Sequence, residues 1–253
     1  MISQNRIKQI NLLKNKKNRL KYNNFVAEGR KIVGELLKSN IKIEYIVATE
    51  HWIENNKLEN ISFEILTAND KELKKISSLT TTQEVLAVVE IPKTVFDKNE
   101  ISENLSIVLD GIQDPGNLGT IIRLADWFGI KNVFCSPNTV DLYNSKVIQA
   151  TMGAFLRVKV HYLDIENLIS EYNKTSDFET FGTFMEGENI YKKNLPNKGF
   201  IVMGNEGNGI SPAVSKLIDN KINIPNFSTN PEKTESLNVA IATAIVCSEF
   251  MKK

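Results

Sequence analysis

Three glycines fall within six residues at Gly204-Asn205-Glu206-Gly207-Asn208-Gly209, directly after the apolar run Phe200–Met203. Such a loop either turns sharply or lets its backbone come close to a ligand. The spacing is G-x-x-G-x-G, not the dinucleotide fingerprint, and no Gly-Lys-Ser/Thr follows as in a phosphate-binding loop. Glu206 would repel phosphate, so the loop suits a ligand carrying hydroxyls or positive charge. A second loop reads Asp114-Pro-Gly-Asn117-Leu-Gly-Thr-Ile-Ile-Arg123. There Asn117 can cap the helix that follows or bond a ligand, and Arg123 offers a fork of donors matched to phosphate or ribose oxygens. A third stretch begins at Ile224-Pro225 and ends in Ser236-Leu237-Asn238-Val239. Ser236 is placed to cap the terminal helix. Asn238 falls one turn inside it among small and apolar residues, where a buried amide needs a partner. Any one of these is also what a capped helix or a glycine turn looks like.

Strands must hold these loops. Ser106–Leu109 reads as an apolar strand, Leu118–Phe128 as a helix stopped by Gly129, and Val133-Phe134 as the start of the next strand. This β-loop-α-β unit implies a parallel sheet with helices on its faces. Val158–Val160, Thr180–Thr183, Gly199–Met203 and Lys221–Ile224 extend the strand series, and Leu237–Met251 is an apolar terminal helix. Ligands of such sheets bind beyond the carboxyl ends of the strands. Upstream, residues 1–24 read as a polar basic helix and Phe25–Lys38 as an amphipathic one. Strands follow at Ile43–Ala48, Ile61–Leu66 and Val85–Ile91, with a helix at Asp70–Ser78, which suggests a small α/β domain. Residues 92–104 lack a period and read as a linker, so the domains are 1–98 and 99–253.

The net charge of the 253 residues is only +1, which excludes a globally basic nucleic-acid coat. Yet Arg6, Lys8, Lys14, Lys16, Lys17, Arg19 and Lys21 stand in a stretch with no acidic residue. Such a run can follow a phosphate backbone, and it is also what a solvated helix face looks like. No apolar stretch reaches the length of a membrane span, and the basic N-terminus lacks the apolar core of a signal peptide. Cys135 and Cys247 form no CxxC pair, and His51 and His161 are the only histidines. The expectation is a reduced, cytoplasmic, metal-free protein with both cysteines as core filler.

In their order, the three loops resemble the motifs of the SpoU (TrmH-type) branch of the SPOUT methyltransferase superfamily, over residues 106–250. Asn117-x-Gly119-x-x-x-Arg123 looks like its first motif, Met203-Gly-Asn-Glu-Gly207 like its second, and Ile224-Pro225 with Ser236-Leu-Asn-Val239 like its third. Asn24-Phe-Val-Ala-Glu-Gly29 and Thr81-Thr82-Gln83-Glu84 are similar to the family's RNA-binding domain of ribosomal-protein type. Two features depart from it: Glu84 stands where glycine is commoner, and the stretch after Pro225 is longer than in many members.

The resemblance implies an S-adenosylmethionine-dependent RNA 2′-O-ribose methyltransferase, working as a homodimer, with a C-terminal trefoil knot in its parallel-sheet domain. It implies cofactor contacts from Thr183, Met203, Gly204, Asn205, Gly207, Ile224, Pro225, Ser236, Leu237 and Asn238. Arg123 is the residue the family often assigns as base; since a free guanidinium is almost never neutral, phosphate binding and alkoxide stabilisation suit it better. Asn117, Glu206, Ser236 and Asn238 would orient groups around it. The two-domain layout points to rRNA of the 23S type ahead of tRNA. The rival reading from another class is a nonenzymatic RNA-binding protein.

Overall fold

The apolar runs become strands of two separate sheets. The computed structural model describes every residue except 1, 57, 59, 60, 231, 233, 235 and 253. One compact unit comprises residues 1–93 with 141–156, and the other comprises 94–140 with 157–253.

In the first unit the order is α1 (Gln4–Leu12), α2 (Lys16–Tyr22), β1 (Asn24–Glu28), α3 (Arg30–Leu37), β2 (Ile43–Ala48), α4 (Glu50–Asn55), β3 (Glu64–Thr67), α5 (Asp70–Ile76) and β4 (Val85–Glu90). The sheet runs β1-β4-β2-β3, with β2 and β3 parallel and the other pairs antiparallel. Ile7, Ile10 and Leu13 from the α1 region and Leu73 and Ile76 of α5 bury one face against Tyr45, Val47, Leu86 and Val88.

Two expectations need correction here. Residues 25–28 are not the start of a helix; they pair with β4, from Phe25 opposite Val89 to Glu28 opposite Leu86. Gly29 then takes φ +98, which separates that strand from α3. The basic run is likewise two helices, and Arg19 within it does not face solvent. It is 5 % exposed, with its guanidinium bonded to Asp141 Oδ2 (2.6 Å) and to the carbonyls of Leu13 and Lys14 (2.9 Å each).

The segment that supplies Asp141 carries a helix, Ser145–Thr151, whose Gln149 amide donates to the Glu28 carbonyl at 2.7 Å. Phe25 meets the Tyr143 ring at 4.6 Å. In chain order this helix is α8, since two helices of the second unit precede it.

The second unit holds α6 (Lys98–Glu103), β5 (Leu105–Asp110), α7 (Pro115–Trp127), β6 (Asn132–Cys135), β7 (Lys159–Tyr162), α9 (Ile165–Tyr172), β8 (Thr180–Asn189), β9 (Gly199–Gly204), α10 (Pro212–Ser215), β10 (Asn220–Asn223) and α11 (Val239–Phe250). Its six strands are all parallel, in the order β10-β8-β9-β5-β6-β7. On one face Val108, Phe134, Phe200 and Val202 pack against Ile101, Ile165, Leu168, Ile169 and Val214 of α6, α9 and α10. Alternate strand residues face the other way, where α7 contacts β6, α11 contacts β9, and the two helices pack on each other.

The stretch read as a linker thus contains α6. Asp97 caps it and Ile101 is its single fully buried anchor, too little to give a period. Both cysteines are buried core residues, and burial raises both thiols, Cys247 to about 12. Among the described residues no helix is long and apolar enough to cross a membrane.

Candidate active site

Parallel pairing sets the first two loops side by side. Leu109 of β5 stands opposite Met203 of β9, and Asp110 opposite Gly204, so the chain leaves both strands at the same level. After β5, Asp114 caps α7 by accepting from Asn117 N at 2.8 Å, and Pro115 fills the first helical position. The helix therefore begins three residues before the expected Leu118. Asn117 is not its cap, and its side chain is left for other bonds.

Those bonds join all three loops. Asn117 Nδ2 donates to Glu206 Oε1 at 3.0 Å, and Asn238 Nδ2 donates to Asn117 Oδ1 at 2.9 Å. The Glu206 carboxylate also accepts from the backbone N–H of Asp114 (3.2 Å) and Gln113 (3.3 Å). Burial works against its charge. The Asn117 amide and the backbone N–H groups of Glu206 itself, Gln113 and Asp114 outweigh that and hold the carboxyl below its usual range. Glu206 is thus a brace between loops rather than an unengaged anion.

The glycine loop closes on itself. Asn205 exchanges two backbone bonds with Gly209, each 2.9 Å, and its Oδ1 accepts from Gly207 N and Asn208 N. Its amide reaches across to the Gly111 carbonyl at 2.7 Å. A side chain at Gly204 would run into the backbone of Gly209 and Ile210, so glycine is required there by close approach. Gly207 has only Asn205 Oδ1 within reach, at 3.6 Å.

In the third stretch, Asn238 and not Ser236 caps α11. Its Oδ1 accepts from Ala240 N (2.9 Å) and Ile241 N (3.3 Å), and the helix starts at Val239. One amide therefore serves both the cap and Asn117. Ser236 is exposed. Leu237 is 50 % exposed, and its backbone makes no hydrogen bond among the described residues. Ile224 and Pro225 are half-buried at the end of β10, and Phe227 is 80 % exposed.

Thr183 lies one residue past the last β8–β9 pair, Gly182 with Val202, and its hydroxyl meets the sulfur of buried Met203 at 3.8 Å. Its strand does not end there, as expected, but runs on to Asn189 after a register shift against β10.

Arg123 sits two and a half turns into α7, further than the later helix start had suggested. It lies outside the Asn238–Asn117–Glu206 chain, about 9 Å along the helix axis from Asn117. With Gly116 and Thr120 it forms an exposed stripe. Helical side chains lean toward the N-terminus over the preceding turn, so Arg123 leans over Gly119 and Thr120, on the side of the loops.

Sequence reasoning missed Asp110, which is 8 % exposed and accepts from Ser211 N at 2.7 Å. It also missed Gln113, whose amide donates to the Asn138 carbonyl at 2.6 Å. An acid closing a buried strand was the available signal for Asp110; nothing local marked Gln113.

Partly exposed apolar residues (Ile224, Pro225, Leu237) and a carboxylate braced by Asn117 suit a ligand with a neutral ring and hydroxyls better than a phosphate. Comparison with known proteins agrees. The SpoU rRNA Methylase family matches residues 104–248, and the MRM3-like substrate binding domain matches residues 4–87. The 23S rRNA (guanosine(2553)-2′-O)-methyltransferase RlmP of Bacillus subtilis is 29% identical over 95% of this chain and 94% of the relative. A TrmH-family protein from Porphyromonas gingivalis is 36% identical, with TM-score 0.87 over 99% of this chain and 98% of that one. An AdoMet-bound rRNA methyltransferase from Sinorhizobium meliloti is 26% identical, with TM-score 0.84 over 99% and 96% of the two chains. The chain belongs to the SpoU rRNA methylase family, whose enzymes transfer a methyl group from S-adenosylmethionine to RNA ribose.

Proposed function

We propose that the protein methylates a ribose 2′-hydroxyl of rRNA of the 23S type, in the cytoplasm and as a homodimer. The observation that carries this reading is the hydrogen-bonded chain Asn238–Asn117–Glu206, which locks three loops into one surface at the ends of adjacent parallel strands. The rRNA substrate follows from relatives such as RlmP that share nearly the whole length. The dimer is supported by apolar Leu237 and Ile241, 50 % and 53 % exposed around the start of α11. The trefoil knot belongs to the same proposal; the return of the chain from edge strand β10 to α11, packed on α7, is compatible with it. So does the division of labour, with RNA binding in 1–98 and catalysis in 99–253.

In this reading Thr183, Met203, Gly204, Asn205 and Gly207 line one side of the cofactor site. Ile224, Pro225, Ser236, Leu237 and Asn238 line the other, with the open backbone of Leu237 available to a heterocycle or ribose. Bound S-adenosylmethionine supplies an electrophilic methyl group on a positively charged sulfur. The chain's task is to hold the 2′-oxygen in line and to stabilise charge as its proton leaves. Arg123, leaning from the exposed stripe of α7, binds the neighbouring phosphate and the developing alkoxide. Asn117, Glu206 and Asn238 position the loops around it.

Mapping 2′-O-methyl sites in cellular RNA with and without the gene tests the substrate. One 23S-type ribose should lose its methyl group. Loss from tRNA alone would move the assignment to tRNA.

A further inference from the structure

A groove of about 290 Å³ opens in the N-terminal unit, between α1, the end of α2 and the sheet. Its floor is apolar, from Leu12, Leu13 and Val88. On one side stands Tyr22, 48 % exposed, with Lys21 Nζ 5.2 Å above its ring. On the other, the Arg6 guanidinium lies 4.6 Å over the Tyr45 ring and is tied to Glu64 at 3.3 Å and to Gln9 at 3.5 Å. Glu44 completes the polar lining, paired with Lys42 at 3.0 Å.

The chemistry of this lining is selective. An aromatic face and an apolar floor suit a flat ring. The two carboxylates of the groove, each paired with a cation, keep oxygen lone pairs that accept from amino and imino N–H groups. Outside it, Lys8, Lys17 and Lys21 are exposed on α1 and α2, within a stretch free of acidic residues, and suit a phosphate backbone. Unstacked RNA bases are held in this way elsewhere, on aromatic faces with their edges hydrogen-bonded while cations follow the strand.

We propose that this groove receives one unpaired, amino-bearing nucleobase of the substrate RNA, stacked on Tyr22 and read at its edge by Glu44. The groove thereby holds a single-stranded element of the RNA. The proposal rests on the reading of the chain as an RNA methyltransferase.

The test uses the full chain and a 23S rRNA transcript, with RNA affinity measured across a salt series and methyl transfer measured in parallel. Tyr22→Ala should weaken RNA binding about ten-fold and raise KM in step, while kcat, cofactor affinity and the salt slope stay as in the wild type. Tyr22→Phe, which keeps the ring, should restore binding. Glu44→Gln separates base reading from plain electrostatics. It weakens RNA if the carboxylate accepts from a base, and tightens RNA if Glu44 only repels the backbone. Affinity of Tyr22→Ala within about two-fold of wild type, or tighter binding by Glu44→Gln, would overturn the proposal. Wild-type protein that transfers no methyl group would instead sink the functional reading, and the affinities would still decide the groove.

Discussion

Asn238 and Asn117, 121 residues apart in sequence, share a hydrogen bond of 2.9 Å that joins the N-termini of the two helices packed on each other, α11 and α7. Asn238 uses its oxygen to cap α11 and its nitrogen to reach Asn117, so both ends of one amide are engaged.

Replacing Asn238 therefore removes two functions. Asn238→Ala should cost about 1 kcal/mol for the cap alone, and more for the unpaired Asn117 oxygen, with activity falling alongside. Ser236→Ala should leave stability within about 0.5 kcal/mol of wild type, because Ser236 is exposed and caps nothing. Urea unfolding of both variants checks this. Equal losses would contradict the assignment of the cap.

The two glycines of the second loop should respond differently. Gly204→Ala places a Cβ against the backbone of Gly209 and Ile210, so it should destabilise the protein and abolish cofactor binding together. Gly207→Ala has room in the loop itself and should fold like the wild type. Any loss of S-adenosylmethionine affinity in Gly207→Ala, measured by titration calorimetry, then reports a ligand close to that Cα.

Much of this was legible in the sequence. The parallel sheet and its β-loop-α-β unit followed from apolar runs with turn residues between them, and five of the six strands lie within a residue or two of the runs that announced them, while β8 runs six residues beyond Thr183. The loops were found through their glycines and small polar residues. Less visible were features that depend on contacts distant in the chain. Ser236 and Asn238 both suit a cap, and only the packing of α11 on α7 selects Asn238. Phe25–Glu28 has helix-compatible spacing, and its partner β4 lies some sixty residues away. Arg19 looks like its lysine neighbours until Asp141 is placed beside it.

That last contact divides the basic run. Arg19→Ala should destabilise the protein by about 3 kcal/mol, since it leaves Asp141 and two carbonyls without their donor. Lys8→Ala and Lys17→Ala should leave the melting temperature unchanged. Each should lower RNA affinity by a similar factor for every sequence tested and reduce the salt slope by about one. Thermal unfolding and salt-dependent RNA binding on the same samples separate the two effects.

Acid should lower the stability of the protein across two pH windows. Burial, aided by the charge of Lys159 and opposed by that of Glu100, lowers the His161 imidazole from 6.5 to about 4. Between those values the unfolded chain holds more protons than the folded one. This contribution is therefore complete above pH 6.5 and is lost as pH falls toward 4. Hydrogen bonds from Lys159 and Asn132, working against burial, and a further one from Lys131 hold Glu100 at about 2, below its ordinary 4.5. Its contribution is lost between those two values. His161→Phe should flatten the urea-midpoint profile between pH 6.5 and 4, by roughly 2 kcal/mol across the window, and leave the lower window in place.

The most direct test of the function is transfer of labelled methyl from S-adenosylmethionine to a 23S rRNA transcript, followed by nucleoside analysis, for wild type and Arg123→Ala. Wild type should place the label on a ribose 2′-oxygen. Arg123→Ala, altered only at an exposed position of α7, should bind cofactor and keep its fold while transfer is lost. Label on a base, no label with wild type on any rRNA, or wild-type turnover by Arg123→Ala would contradict it.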